Sequence, residues 1–326
     1  MDPKLQQNII RVAILAVLLI ALLGVLILTG LLGCNAVPGG CGIYYFALRQ
    51  DNGGVPAILV AYGDYGLGNP ERLAELLNER DALNARARTM DMQYLTYANV
   101  RDFDLIVVER AKKVCSDKLK IFQYYVAAGG RLVWTGDAGT ELCAGNEGGR
   151  FAAADEYLLE SEHEEGAEEK IIGPWARKDN DKQLLFDEFL GVEYRGNYCD
   201  FGTCPPESEV GRIEVTDTEH KLTYGLSPSI PYSGDFGVVD AIRSEDARIV
   251  ATLDYGTNLL GKGSGQPWLV EGAQYDFGRR LPFIVSNQVG GRVAYYAAPP
   301  EALVDAAPQA QNRALLEQMY HGMLYN

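Results

Sequence analysis

The sequence has few of the residues that bind metals or carry glycans. It contains three histidines, no Cys-x-x-Cys pair and no Asn-x-Ser/Thr sequon. Structural zinc sites use closely spaced cysteines or histidines, so no metal site is expected. The missing sequon disfavours a glycosylated eukaryotic ectodomain. No cofactor is expected, because the glycine-rich loop from Gly63 to Pro70 matches neither G-x-G-x-x-G nor G-x-x-x-x-G-K-[ST].

Basic residues are also in short supply. The chain has 29 Lys and Arg residues against 44 Asp and Glu, which gives a formal net charge of −15 at pH 7. Such a surface repels the phosphate backbone of nucleic acids, so no nucleic-acid partner is expected. The simpler interpretation of this charge is that it keeps the protein in solution.

Charge is absent altogether from one long stretch, Val12 to Leu32. A helix of this length spans about 30 Å, the thickness of the hydrocarbon core of a bilayer. Lys4 and Arg11 precede the stretch and no Lys or Arg follows before Arg49, so the positive-inside rule places the amino terminus in the cytoplasm. We therefore predict a single-pass membrane protein with a signal-anchor, divided into a cytoplasmic tip and transmembrane anchor over 1–33, a spacer over 34–54 and an extracytoplasmic domain over 55–326.

Two alternatives to a retained anchor stay open. A cleaved signal peptide is one, although its apolar core is usually about 7 to 15 residues. The other is lipidation, because the segment Leu31-Leu32-Gly33-Cys34 resembles the lipobox of lipoproteins. The expected partners are then the lipid bilayer and other membrane or cell-surface proteins.

Six cysteines, at positions 34, 41, 115, 143, 199 and 204, all follow the apolar stretch. An even number in an oxidising compartment predicts disulfides. Cys199 and Cys204 enclose a short loop and form the first expected pair. Cys115 and Cys143 flank one edge of the predicted sheet and form the second, which leaves Cys34 and Cys41 to pair unless Cys34 is lipidated.

Apolar, β-branched runs alternate with helical segments in the first half of the chain. Strands are predicted at Ala57 to Tyr62, Ala85 to Met90, Asp104 to Glu109 and within Gly129 to Glu141, with a helix at Ser116 to Ala128. The second half is β-rich, with strands predicted at 212–215, 247–253, 281–286 and 292–297 and a closing helix at 309–324. The predicted fold class is α/β: an N-terminal transmembrane helix, then a doubly wound, mainly parallel sheet with a β-rich C-terminal half.

Two glycine-rich corners follow predicted strands, at Gly63 to Pro70 and at Gly136 to Thr140. Parallel sheets place ligand sites where their strands end. Glycines close together allow a backbone to approach a ligand, although a tight strand-to-helix turn is the simpler explanation of the first corner. The predicted ligand-binding residues are Asp64, Gly66, Gly68, Gly136, Gly139 and Thr140.

Several segments together resemble the class I glutamine-amidotransferase-like superfamily, in particular its ThuA-like and related extracytoplasmic branches. They are AILVAYGDYG, VRDFDLIVVE, AAGGRLVWTGD, EHKLTYGLS at Glu219 to Ser227 and GGRVAYYAAPPE at Gly290 to Glu301. The resemblance spans about residues 55 to 325 and implies a cysteine nucleophile on a sharp elbow after a strand. Asp137 stands at that position, and no His-x-Glu follows near the carboxyl terminus, so glutaminase chemistry is not expected.

Carboxylates at the strand ends offer a different chemistry. Asp137 and Glu109 could share acid and base roles, with His220 contributing if its loop folds back over the sheet. The simpler interpretations are that Asp137 caps a turn, that Glu109 pairs with a nearby basic residue and that His220 occupies a structural turn. No catalytic residue is therefore assigned firmly, and Asp137, Glu109 and His220 are candidates.

The leading hypothesis is a membrane-anchored, extracytoplasmic binding or scaffolding protein with a catalytically degenerate amidotransferase-like domain. One alternative is a cell-surface hydrolase that acts on a glycan or related polymer through the strand-end carboxylates. A second is an accessory subunit of a membrane complex. A glycan is a candidate ligand of the crevice, in line with the hydrolase alternative.

Overall fold

The computed structural model describes residues 3–28, 55–79, 85–143, 156–160, 170–179, 182–201, 211–242, 247–287, 291–306 and 310–325. It divides into two compact units, one of residues 1–56 with the last two residues and one of Ala57–Leu324. The predicted spacer over 34–54, with Cys34 and Cys41, lies outside the described residues.

Helix α1, Pro3–Leu28, is described in the first unit. None of the helices in the described ranges combines the length and the apolar character that crossing a membrane requires. The predicted transmembrane anchor and the single-pass, extracytoplasmic localisation built on it are therefore wrong. The prediction rested on the uncharged run from Val12 to Leu32, whereas the described helix also takes in the polar segment with Lys4 and Arg11, and residues 29–32 lie outside the described residues.

The first half of the second unit supplies parallel strands. These are β1 (Ala57–Tyr62), β2 (Arg86–Asp91), β3 (Leu105–Glu109) and β4 (Leu132–Thr135), connected through helices α2 (Pro70–Asn78), α3 (Tyr97–Val100) and α4 (Ser116–Ala127). β1 pairs in parallel with β2 and β3, and β3 pairs in parallel with β4. Every residue of β3 and β4 is buried, as expected of strands covered on both faces.

Short elements follow β4. They are β5 (Glu156–Tyr157), β6 (Leu159–Glu160), β7 (Lys170–Ile171), β8 (Ala176–Asp179), β9 (Lys182–Leu185), α5 (Phe186–Leu190), β10 (Val192–Asn197) and α6 (Tyr198–Phe201). β5, β8 and β9 form a three-stranded antiparallel sheet. Phe186 of α5 packs edge-on against Trp134 of β4, with ring centroids 4.9 Å apart, so this segment covers the end of β4.

The remaining strands form antiparallel pairs, and the last of them also pairs in parallel with β4. They are β11 (Gly211–Val215), β12 (Ser229–Tyr232), β13 (Gly237–Ala241), β14 (Ala247–Asp254), β15 (Leu260–Lys262), β16 (Gln274–Asp276), β17 (Arg280–Asn287) and β18 (Val293–Tyr296), followed by α7 (Pro300–Ala306) and α8 (Ala310–Leu324). The nine-stranded sheet has the order β12-β11-β14-β17-β18-β4-β3-β1-β2.

This large sheet is mixed, so the prediction of a mainly parallel sheet is wrong. β18 pairs in parallel with β4, but β17 and β14 pair antiparallel with their neighbours. Parallel neighbours need a crossover, usually helical, and no helix is described between β14 and β18. The α/β class and the β-rich second half are as predicted.

A disulfide joins Cys115 to Cys143, with their Cα atoms 5.2 Å apart. This confirms the second predicted pair. It connects the residue that precedes α4 to the end of the segment after β4. Cys199 is also disulfide-bonded, and its predicted partner Cys204 lies outside the described residues.

Arg110, directly after β3, has a φ of 46° and is the one non-glycine residue in the left-handed region among those the structure describes. Its amide donates to the Leu67 carbonyl over 2.7 Å, and its carbonyl accepts from the Gly63 amide over 3.0 Å. These two bonds hold the backbone in a conformation that costs a non-glycine residue about 1 to 2 kcal/mol.

We predict that Arg110→Gly is more stable than Arg110→Ala by about 1 kcal/mol, because glycine adopts a positive φ without steric cost. Both variants remove the guanidinium, so the difference between them reports the cost of the positive φ at this position. Urea denaturation of the two proteins measures the difference. Equal midpoints and slopes would show that this turn carries no strain.

Candidate functional site

The turn after β4, residues Gly136–Glu141, is the elbow of the predicted active site and is called the β4 corner below. Asp137 within it is 2% exposed. Its Oδ1 accepts the Leu67 amide over 2.8 Å and its Oδ2 accepts Asn197 Nδ2 over 3.1 Å. Asn197 Oδ1 in turn accepts the Tyr194 hydroxyl over 2.8 Å. Both carboxylate oxygens of Asp137 therefore bind the protein itself.

Carbonyl groups of the β4 corner are covered by side-chain donors. The Tyr295 hydroxyl donates to Gly136 O over 2.9 Å, while Trp134 and Trp175 both donate their Nε1–H to Ala138 O over 2.8 and 2.9 Å. These donors are buried aromatic residues. The carbonyl groups of Gly136 and Ala138 thus accept hydrogen bonds from side chains of the core.

Buried Arg177 of β8 covers the rest of the β4 corner. Its Nη2 donates to Gly139 O over 2.5 Å and to Glu141 O over 3.2 Å. Its Nε donates to Pro174 O over 2.9 Å, and its Nη1 donates to Val114 O. One guanidinium therefore holds three separate segments of backbone together.

The amides of the β4 corner are engaged as well. Amides of five of its residues donate to backbone carbonyl groups: Gly136 to Tyr296, Ala138 to Thr135, Gly139 to Ala111, Thr140 to Asp137 and Glu141 to Lys112. An oxyanion hole needs N–H groups that are free to bind the developing negative charge. These five amides are not available for that role.

The predicted ligand-binding glycines make room for the protein's own side chains. Gly66 and Gly68 have φ values of 128° and 121°, and a Cβ on them would lie 3.0 Å from Asp137 Oδ1 and 3.2 Å from the Glu109 carboxyl carbon. A Cβ on Gly136 or Gly139 would meet Leu67 at 3.1 Å or Trp134 at 2.8 Å. Thr140 is 1% exposed and donates its hydroxyl to the Asp137 carbonyl over 2.9 Å.

Glu109, the second catalytic candidate, ends β3 and is fully buried beside Glu301 of α7. Glu301 Oε1 accepts the amide of Asn69, the N-cap residue of α2, over 2.7 Å. No donor from the described chain reaches either Glu109 oxygen, and the Glu109 carboxyl group lies beside that of Glu301. Burial, and then the negative charge of Glu301, raise the pKa of Glu109 well above its ordinary value.

Tyr320 of α8 lies in the same buried region. Its hydroxyl has no hydrogen-bond partner among the described residues. Burial raises its pKa, and the charges of Glu109 and Glu301 raise it further. The three residues bring β3, α7 and α8 together in a polar cluster within the core.

His220, the third catalytic candidate, lies away from the β4 corner. The next residue, Lys221, donates its Nζ to Gly291 O over 2.9 Å, and Gly291 precedes β18. Since β18 is parallel to β4, His220 lies at the edge where these strands begin, opposite the edge where they end. Its Nδ1 accepts the Leu222 amide over 3.2 Å, and burial lowers its pKa. The structure does not bring it to Asp137 or Glu109.

Asp64, one of the predicted ligand-binding residues, lines an open pocket. The pocket, called the β1 pocket below, has a volume of about 300 Å³ and lies at the carboxyl ends of β1 and β2. Its walls are polar loops and the disulfide: Gly63, Asp64, Tyr65, Asp91, Met92, Gln93, Lys113, Cys115, Lys118 and Cys143. Among the described residues no group of three or more His, Cys, Asp or Glu side chains could hold a metal ion.

Sequence reasoning missed Arg177, Asn197 and Glu301. Each lies far along the chain from the group that it contacts. A buried arginine in a short antiparallel strand gives no local signal, because its role depends on carbonyl groups supplied by other segments.

The architecture is similar to that of solved structures at low sequence identity. A ThuA-like protein from Bacteroides uniformis matches with 16% identity and a TM-score of 0.51, over 82% of this chain and 92% of that one. A ThuA-like protein from Parabacteroides merdae matches with 12% identity and a TM-score of 0.43, over 82% and 90%. A β-galactosidase from Rahnella sp. R3 matches with 15% identity and a TM-score of 0.48, over 82% of this chain and 30% of that one.

Of these three, the first has a TM-score above 0.5, and it supports a class I glutamine-amidotransferase-like fold. The predicted resemblance is therefore confirmed for the fold. No protein-family model and no curated protein matches the chain. Identity this low says nothing about activity.

We predict that Glu109→Gln makes stability less dependent on pH. The unfolded chain loses the Glu109 proton near pH 4.3, while the folded chain keeps it because its pKa is raised. The wild-type free energy of unfolding therefore falls as pH rises above about 4.3, until the pH passes the folded pKa. The glutamine side chain keeps a donor for Glu301 and does not titrate. The free energy of unfolding of the variant therefore rises relative to that of the wild type as the pH rises.

Urea denaturation at several pH values from 4 to 8 measures this difference. Glu71→Gln is the matched control, because Glu71 is exposed and raises the pKa of Glu109 less than burial and Glu301 do. Arg110 lowers that pKa and is left unchanged in both variants. Parallel stability curves for wild type and Glu109→Gln would contradict the raised pKa of Glu109.

Proposed function

We propose that Ala57–Leu324 is a binding or scaffolding module, in which an amidotransferase-like fold carries no working nucleophile. The observation that supports this most is the environment of Asp137. Its two carboxylate oxygens accept from Leu67 and Asn197, and its side chain is 2% exposed. A nucleophile or general base needs to reach its substrate, and this residue is enclosed by protein.

Among the described residues, the other groups that an acyl-transfer site needs are otherwise engaged or distant. The amides of Gly136, Ala138, Gly139, Thr140 and Glu141 donate to backbone carbonyl groups, so these five cannot form an oxyanion hole. His220, the histidine that was a catalytic candidate, lies at the opposite edge of the sheet. The corner therefore serves the packing of the fold.

Glycan hydrolysis gains no support from the same geometry. Hydrolysis by two carboxylates requires a substrate, and in one mechanism a water, between the two groups. Asp137 is enclosed by Leu67 and Asn197, while Glu109 faces Glu301 under the loop that contains Gly68. Neither carboxylate lines the β1 pocket.

Binding is better placed at the β1 pocket. Asp64 is exposed there and Tyr65 is 44% exposed, so a carboxylate and an aromatic ring face solvent side by side. Aromatic rings with nearby hydrogen-bonding groups suit polar ligands that also have an apolar face. A glycan or a loop of a partner protein has this character.

Activity assays test the absence of catalysis. The purified protein should release no ammonia from L-glutamine and should not cleave nitrophenyl glycosides above the buffer rate. Asp137→Ala should cost about 2 to 4 kcal/mol of stability, because it leaves two buried donors without acceptors. Turnover by the wild type that Asp137→Asn removes without unfolding the protein would overturn the proposal.

Binding to an array of immobilised oligosaccharides tests the recognition surface. Asp64→Ala and Tyr65→Ala should each lower the affinity for any captured glycan by about fivefold or more, since each removes a contact worth about 1 kcal/mol. Asp117→Ala is the matched control, because Asp117 is exposed on α4 and does not line the pocket. Equal loss in the control would place recognition elsewhere.

A further inference from the structure

The Cys115–Cys143 disulfide forms part of the wall of the β1 pocket. A structural disulfide is usually enclosed and resists reduction. Here Cys115 is half-buried and Cys143 is 8% exposed, and both line an open cavity of about 300 Å³, large enough for a small molecule. We propose that this disulfide exchanges with a low-molecular-weight thiol that carries both a carboxylate and an ammonium group. The exchange would take place in the pocket that is proposed above for binding, and it does not require a glycan or a partner protein to bind there.

Cys115 is suited to act as the leaving group. It is the N-cap residue of α4, a helix of 12 residues, and its carbonyl already accepts the amides of Lys118 and Leu119. A thiolate at this position faces the positive end of the helix, where anions are stabilised. The side chains of Lys113 and Lys118 line the same pocket and add positive charge.

Carboxylates near the disulfide partly offset this stabilisation of the Cys115 thiolate. Asp117 lies in the first turn of α4, and Asp64 and Asp91 face the pocket from the loops after β1 and β2. Glu141, the last residue of the β4 corner, forms an ion pair with Lys112 at 3.8 Å. The helix terminus and the two lysines act on Cys115 from its own side of the pocket.

The charges that line the pocket define the class of thiol. Lys118 Nζ donates to Leu95 O over 2.8 Å and to Gln93 O over 3.3 Å, which fixes its ammonium group at the wall. Asp91 Oδ1 accepts the Gln93 amide over 2.8 Å, which fixes that carboxylate on the facing loop. Two ammonium groups and two carboxylates complement a zwitterion such as cysteine better than a neutral thiol.

The exchange proceeds in two steps. The thiolate of the small molecule attacks Cys143 Sγ, the Cys115–Cys143 bond breaks, and Cys115 leaves as a thiolate. The product is a mixed disulfide on Cys143. A second molecule of thiol attacks the small-molecule sulfur and releases Cys143 as a thiolate, so that two thiols are oxidised to one free disulfide while the protein bridge takes up two electrons.

Contacts other than the disulfide also join the two segments that carry Cys115 and Cys143. Arg177 holds Val114 O, next to Cys115, and Glu141 O, two residues before Cys143. A backbone bridge between Lys113 and Glu141 joins the same two segments. Both segments therefore stay together after the disulfide is cleaved, and only the pocket wall changes.

The native wild-type protein is treated with L-cysteine or with 2-mercaptoethanol at matched thiolate concentration, trapped by alkylation and mapped by mass spectrometry. We expect L-cysteine to open Cys115–Cys143 about fivefold faster, as charge pairs of up to about 1 kcal/mol allow, with the mixed disulfide on Cys143. The disulfide of Cys199 serves as the internal comparison and should react more slowly.

Variants test the pocket charges. Lys113→Gln and Asp64→Asn should each remove most of the advantage of L-cysteine, whereas Lys120→Gln on α4, outside the pocket, should retain it. Equal rates for the two thiols, or opening only in denaturant, would overturn the proposal. So would faster reaction at the Cys199 disulfide.

Discussion

A buried guanidinium fixes the turn around which this fold is arranged. Arg177 binds backbone carbonyl groups of Pro174, Val114, Gly139 and Glu141, and it has no exposed surface. Burying a charge is costly unless donors and acceptors are matched. Arginine offers five N–H donors in a rigid plane, and here that plane joins the loop before α4, the β4 corner and the start of β8. Lysine could not span these acceptors.

The filled corner determines what chemistry remains open to the molecule. The family resemblance implies a reactive side chain at this turn, whereas Asp137 is turned toward Leu67 and Asn197. The loop from Gly63 to Asn69 can lie over the strand ends because Gly66 and Gly68 leave room for Asp137 and Glu109. The solvent-accessible β1 pocket lies beside this loop, next to the disulfide.

Local sequence patterns predicted much of the second unit. Ala57–Tyr62, Leu105–Glu109 and Leu132–Thr135 are short apolar runs that end in glycine or charge, so their assignment as buried strands is confirmed. The direction of the later strands was not predictable, because antiparallel pairing depends on which neighbours they meet. The helix at the amino terminus shows a further limit, since a count of uncharged residues ignores where a helix begins and ends.

The site was harder to predict than the fold, since its chemistry depends on residues that are distant in the chain. Glu109 and Asp137 were placed correctly at strand ends, but their partners Glu301 and Asn197 come from α7 and β10. A carboxylate at a strand end has the same sequence signature whether it faces a substrate or a buried partner. Because Glu109 and Asp137 are both buried, each faces a partner within the protein.

Native-state hydrogen exchange of the backbone amides of Leu67, Gly136 and Gly139 tests the central claim most directly. If the β4 corner is part of the packed core, these amides exchange only on global unfolding, with protection equal to that of the β3 amides. The β1 pocket loop at Asp64 then exchanges much faster. Exchange of Gly136 and Gly139 through a low-energy local opening would contradict this account, because a corner that opens readily can expose Asp137 to a substrate.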